Sequence, residues 1–129
     1  MGLHLRILDG DYSVSRLPIA APIPQWADGD GFVSISRATD ELSIVCLSRR
    51  VPQSREVEWQ SESGWTCLQL VGPFAFTLTG ILLAVLKPLA EASVGIFAVS
   101  TFDTDYVMVK HHQLPDTVAA LANAGHTID

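Results

Sequence analysis

Gly80-Ile81-Leu82-Leu83-Ala84-Val85-Leu86-Lys87-Pro88-Leu89-Ala90-Glu91-Ala92 is the stretch that decides the fold, because Ile81, Val85 and Leu89 stand four apart and Leu82 and Leu86 widen the same stripe. That spacing predicts a helix over residues 79–92. Pro88 has no amide proton to return to the Ala84 carbonyl and its ring crowds that oxygen, so a kink or short break is expected there. The residues that follow, Ile96-Phe97-Ala98-Val99-Ser100-Thr101-Phe102-Asp103-Thr104-Asp105-Tyr106-Val107-Met108-Val109, read as two apolar strands, 94–100 and 106–110, around a polar turn.

Working outward, residues 65–71 form a strand-like run before the helix. Residues 115–124 form a second helix after the strands, with Pro115 suited to its first turn, Val118, Leu121 and Ala122 on one side, and Gly125 as its stop. The order strand, helix, strand, strand, helix is the split βαβ, ferredoxin-like arrangement, in which right-handed crossovers put both helices on one face of an antiparallel sheet. Residues 126–129 are too short for a convincing closing strand, so the N-terminal hairpin is expected to fill that place.

The first half repeats this plan in weakened form. Residues 3–8 and 12–17 alternate with period two around Asp9-Gly10-Asp11 and read as one hairpin; residues 32–36 and 42–47 read as another. Between them lies a proline-rich stretch with room for one helical turn over 23–27, and Trp26 is expected to plug the end of a core. Residues 49–64 read as a polar surface connection. The division falls near residue 60, giving units 1–60 and 61–129, and the turn Ser36-Arg37-Ala38-Thr39-Asp40-Glu41 corresponds loosely to Ser100-Thr101-Phe102-Asp103-Thr104-Asp105.

A chain of 129 residues with 48% hydrophobic and 17% charged residues has the material for a folded core. Its formal net charge of -6, with only Arg49, Arg50 and Arg55 as a basic cluster, argues against nucleic acid as a partner. Cys46 and Cys67 sit singly in apolar runs and are read as buried thiols in a reducing compartment, with a disulfide between neighbouring strands as the alternative. His4 and Arg6 interrupt the first apolar run, and the greasiest stretch, 80–90, is too short to span a bilayer, so a cytoplasmic, membrane-free protein is expected.

Chemistry concentrates in two places. In the loop over 72–80, the first amides of the following helix lack internal partners and favour an anion; Thr77 or Thr79 is placed to cap, and Gly80 leaves room for close approach. An ordinary strand-to-helix turn is the plainer reading, because the loop has neither phosphate-loop nor dinucleotide glycine spacing. In the turn over 101–106, Asp103 reads as a solvent-facing turn residue and Asp105 as the one held inward. His111 and His112 read as surface or helix-entry residues, His4 as an edge-strand side chain, and no serine elbow or metal-ligand spacing is present. No catalysis and no cofactor are expected; an enzyme using Asp105 as acid or base is the weakest reading.

The residues 80–92 and 96–109 quoted above closely resemble small bacterial ACT-domain proteins, relatives of the ACT units of aspartate kinases and of cytosolic arginine sensors. The likeness is strong over 65–125 and weaker over 3–64. It implies an α+β chain of two ferredoxin-like βαββαβ subdomains, the first degenerate, sharing or abutting antiparallel sheets with helices on one face. It also implies a regulatory or sensor module that binds an amino acid at a subdomain or subunit interface. Carried onto this chain, Gly72, Pro73, Phe74, Thr79, Gly80 and Ile81 would line one side of the site and Ser100, Thr101, Phe102 and Asp105 the other. The helix amides would hold the ligand carboxylate, and Thr101 and Asp105 its ammonium group. No kinase, dehydrogenase or DNA-binding module lies in these residues, so a homodimer or a separate regulated protein is the implied partner. A ligand-independent interaction module is the alternative.

Overall fold

The computed structural model describes residues 2–53, 59–75 and 78–129; Phe76 and Thr77, the latter one of the two expected helix caps, lie outside them. In chain order the elements are β1 (His4–Ile7), β2 (Tyr12–Leu17), β3 (Ser34–Arg37), β4 (Leu42–Leu47), β5 (Gln60–Leu70), α1 (Ile81–Glu91), β6 (Ile96–Ser100), β7 (Asp105–Lys110), α2 (Leu114–Asn123) and β8 (Thr127–Ile128). They pack as two compact units, residues 9–65 and residues 1–8 with 66–129. The packing therefore differs from a division at residue 60: β1 belongs with the C-terminal unit, and 60–65 with the N-terminal one.

In the C-terminal unit the strand order is β8, β1, β5, β7, β6. Leu5, Leu68, Leu70, Val107 and Val109 share one core with Val85 and Leu89 of α1 and Leu121 of α2. The period of two on the strands and of three to four on the helices places both helices against one sheet face. Both helices end in the same way. Ser93 and Gly125 take left-handed φ values of 59° and 94°, and the next residue's amide reaches back, from Val94 to Leu89 O at 2.9 Å and from His126 to Leu121 O at 3.0 Å.

Four expectations are corrected here. β1 and β2 are not a hairpin: β1 pairs antiparallel with the second half of β5 (Leu5↔Leu70), while β2 pairs with β4 and the first half of β5 (Tyr12↔Trp65). Alternation fixes which face of a strand is buried and leaves its partner open. The last residues do form a strand, β8, which lies parallel to β1 (Leu5↔Ile128), so β1 intercalates between β8 and β5 and His4 stands on an interior strand. Residues 60–64 belong to β5 rather than to a surface connection. Finally, α1 is one helix from Ile81 to Glu91 with Pro88 inside it, so the short break is not there.

In the N-terminal unit the order is β3, β4, β2 and the first half of β5. A 3-10 turn, Gln25–Ala27, stands between β2 and β3. Leu17, Ala27, Leu42, Ile44 and Cys46 form the core, with Trp26 and Trp59 packed against it, their ring centroids 5.9 Å apart. Arg50 fixes this stretch by donating to Trp26 O at 3.2 Å and Asp30 O at 2.5 Å.

Candidate functional site

The turn between β6 and β7 is closed by the pair Ser100↔Asp105. Within it the Thr101 amide donates to Thr104 O at 2.8 Å, and the Thr101 hydroxyl donates to the same carbonyl at 3.1 Å. Thr104 is buried, and its hydroxyl donates to Leu70 O at 2.5 Å, pinning the turn to the end of β5. From the other side, the Phe74 amide donates to Asp103 O at 2.9 Å, so the loop after β5 is fastened to the turn by backbone. These bonds bring the two sequence-distant segments together within one unit.

Between them lies a cleft of about 200 Å³ lined by Phe74, Ala75, Leu78 and Ile81 on the apolar side and by residues 100–105 on the polar side. Phe74, Ile81, Ser100, Thr101, Phe102 and Asp105 of the expected set line it. Gly72, Pro73, Thr79 and Gly80 do not. Gly72 instead makes room for the fastening: a Cβ there would stand 3.0 Å from the Phe74 amide nitrogen and 3.2 Å from Asp103 O. Gly80 is the N-cap of α1, at a left-handed φ of 78°, with no side-chain cap among the described residues, so Thr79 does not serve as one.

Ala75, Leu78, Asp103 and Thr104 line the cleft without having been expected there. Leu78 and Ala75 carry no chemical signal, and the inward hydroxyl of Thr104 depends on a partner 34 residues away. Asp105 is half-buried and its Oδ1 accepts the Ser100 hydroxyl; Asp103 is exposed at the turn. Neither forms an ion pair with a described residue, and no described Lys or Arg lines the cleft, so its field is negative. That field reaches Tyr106, whose phenol is pushed up by burial first and then by Cys67 and Asp103. Phe102 stands at the lip, 78% exposed.

The arrangement suits holding a small molecule with an ammonium group and an apolar body; among the described residues no His, Cys or Lys lines it. Cys67 is a buried free thiol, pushed up to about 12 by burial, and Cys46 is likewise buried and free. His111 accepts or donates at 3.3 Å to Thr66 in a turn entering α2. Among the described residues no group of His, Cys, Asp and Glu is placed to hold a metal ion, and no helix is long and apolar enough to cross a membrane. A larger depression of about 600 Å³ is lined by Pro88, Glu91 and Ala92 at the end of α1 and by Asp116, Ala119, Ala120, Asn123 and Ala124 of α2 and its cap. It is open, and half of its lining residues are alanines.

Residues 60–123 match the ACT domain, and residues 10–54 match a separate N-terminal-domain family. A crystal structure of a protein from Agobacterium tumefaciens is 49% identical, with a TM-score of 0.91, over 100% of this chain and 93% of that one. The aspartate kinase of Clostridium acetobutylicum, described as an allosteric enzyme, has a TM-score of 0.67 at 13% identity; 90% of this chain aligns with 33% of that one. The regulatory subunit of aspartate kinase from Thermus flavus has a TM-score of 0.61 at 10% identity, over 96% of this chain and 97% of that subunit. At these identities the two kinase likenesses concern the fold.

Proposed function

We propose that this chain, whose residues 60–123 match the ACT domain, is a non-catalytic regulatory or sensor module that binds an amino acid in the cleft between the loop after β5 and the β6–β7 turn. The observation that carries this reading is the backbone bond from Phe74 to Asp103 O, which holds the apolar wall and the carboxylate wall together before any ligand arrives. The ligand ammonium is received by Asp105 and by the lone pairs of Thr101, its apolar side chain by Phe74 and Ile81, and its carboxylate by the first amides of α1. On this reading the N-terminal unit is a degenerate copy: its strand order β3, β4, β2, β5 follows that of β6, β7, β5, β1, without a counterpart of β8 among the described residues, and a 3-10 turn stands in the place of α1.

A homodimer fits the same reading. Among the described residues β6 pairs with β7 alone, and its sequence Ile96-Phe97-Ala98-Val99-Ser100 has none of the charges or prolines that protect an edge. A second copy along that edge would border the Ser100–Phe102 side of the cleft. The exposed Phe102 and this edge also favour the second reading, a ligand-independent interaction module. A thermal-shift screen of the common amino acids, arginine and lysine included, separates the two. A saturable rise in Tm for one ligand, weakened in Asp105→Ala, supports the sensor; no response to any of them, with a concentration-dependent dimer by sedimentation, supports the interaction module.

A further inference from the structure

Pro88 leaves the Ala84 carbonyl without its helical donor, and the structure shows what takes that place: His126 Nε2 donates to Ala84 O at 2.8 Å. On the other side of the same ring, Nδ1 accepts the Leu3 amide at 3.0 Å. A carbonyl can only accept and an amide can only donate, so the two partners together dictate a neutral ring with its proton on Nε2. The ring is 6% exposed and is set in position by the α2 cap, where Gly125 turns left-handed and the His126 amide returns to Leu121 O. The N-terminal backbone presses close against this cap: a Cβ on Gly2 would stand 2.9 Å from Gly125 O.

We infer that His126 is a tautomer-locked latch holding β1 in the C-terminal unit, and that a second proton on its ring opens the latch. An imidazolium carries a proton on Nδ1, which then faces the Leu3 N–H, donor against donor, in a buried place where neither finds water. From the residue before β1 the ring meets a backbone amide, from α1 a backbone carbonyl, and from α2 its own cap. The charged side chains of the elements around it are His4 and Arg6 on β1, Lys87 and Glu91 on α1, Asp116 on α2, and Asp129 after β8. No described carboxylate bonds the ring to favour its charged form, and Asp129 is already paired with His4 at 2.7 Å.

On its far side β1 is held by the short β8 and the residue after it: Thr127 donates to Leu3 O at 2.8 Å, and Asp129 donates to Leu5 O at 3.0 Å and accepts the Ile7 amide at 2.7 Å, so losing the Leu3 anchor acts at the end of this ladder. Its His4 carbonyl also accepts Val71 N at 2.8 Å, at the root of the cleft loop. The latch stands independently of the ligand reading.

The test is nitrogen NMR of the imidazole together with amide exchange of the whole chain, between about pH 8 and about pH 5. At the upper pH the ring is expected as the Nε2–H tautomer. On acidification, exchange protection of Ile7, Thr127 and Asp129, corrected for intrinsic rates, falls about fivefold or more relative to the β6–β7 ladder. In His126→Asn, whose amide oxygen still accepts from Leu3 and does not titrate, that selective loss disappears. An Nδ1–H ring, or an equal fall in β1 and β7 in the unaltered protein, overturns the latch without recourse to any variant.

Discussion

The two hairpin turns, 38–41 in the N-terminal unit and 101–104 in the C-terminal unit, are built alike and used differently. Each is closed by an amide donating three residues ahead, Ala38 to Glu41 O at 2.9 Å and Thr101 to Thr104 O at 2.8 Å. The strand registers, Arg37↔Leu42 and Ser100↔Asp105, place Arg37 where Ser100 stands and Leu42 where Asp105 stands. The sequence correspondence of Ser36 with Ser100 was therefore one residue out.

Arg37 reaches across to the loop after β2 and donates to Ile19 O at 2.5 Å and Ala21 O at 3.0 Å, so this junction is tied by a long side chain. In the C-terminal unit the junction is tied by backbone, from Phe74 to Asp103, and the side chains of the closing pair remain beside an open cleft. One topology thus gives a junction tied by a side chain and a junction tied by backbone beside a cleft, with different residues in the closing pair.

The largest effect expected from breaking this comparison comes from exchanging the closing residues. Leu42 is fully buried, so Leu42→Asp places an unpaired carboxylate in the core and is expected to cost about 3–5 kcal/mol in denaturant unfolding. Asp105→Leu removes a half-buried carboxylate with only a serine partner and should move stability by less than about 1 kcal/mol, while abolishing ligand binding. Equal costs for the two would mean that the closing pairs are not in different environments.

Next in size is Gly72→Val. The added side chain meets the Phe74 amide and Asp103 O, so the backbone fastening must open, at about 1–3 kcal/mol. Loss of binding with the hairpin's own amides still protected from exchange would place the damage in the loop.

The smallest effect concerns the two thiols. Burial raises both, but Arg50 opposes the rise at Cys46, whereas nothing opposes it at Cys67, which moves from 9.0 to about 12. Between those two values the folded state keeps a proton that the unfolded chain gives up, so stability falls as pH rises through this window and is unaffected near neutrality. Cys67→Ala should flatten that alkaline decline more than Cys46→Ala; the reverse order would contradict the assignment.

Much of the C-terminal unit was legible because its signals are local. The stripe Ile81, Val85, Leu89, the stop at Gly125 and the strands around the 101–104 turn each declare themselves within a few residues. The place of β1 was not legible, since an alternating strand reads the same whether it pairs with its neighbour or with Leu70 at the far end of the chain. The first half of β5 was hidden by its polarity: Gln60, Glu62 and Ser63 are exposed, and no alternation marks the strand. At the cleft, Asp105 and Phe74 were readable as chemistry, but the fastening that joins their segments runs through the backbone of Phe74 and Asp103 and the hydroxyl of Thr104, and backbone pairing leaves no mark in side-chain identity. Pro88 signalled an orphaned carbonyl; that His126 would satisfy it required the fold.

The most direct test of the open junction as a ligand site is calorimetry of the full chain with the amino acid selected by the thermal-shift screen. One saturable site per chain, retained in Arg37→Ala and lost in Asp105→Ala, is the predicted result. No saturable heat, or binding that Asp105→Ala leaves unchanged, would contradict it.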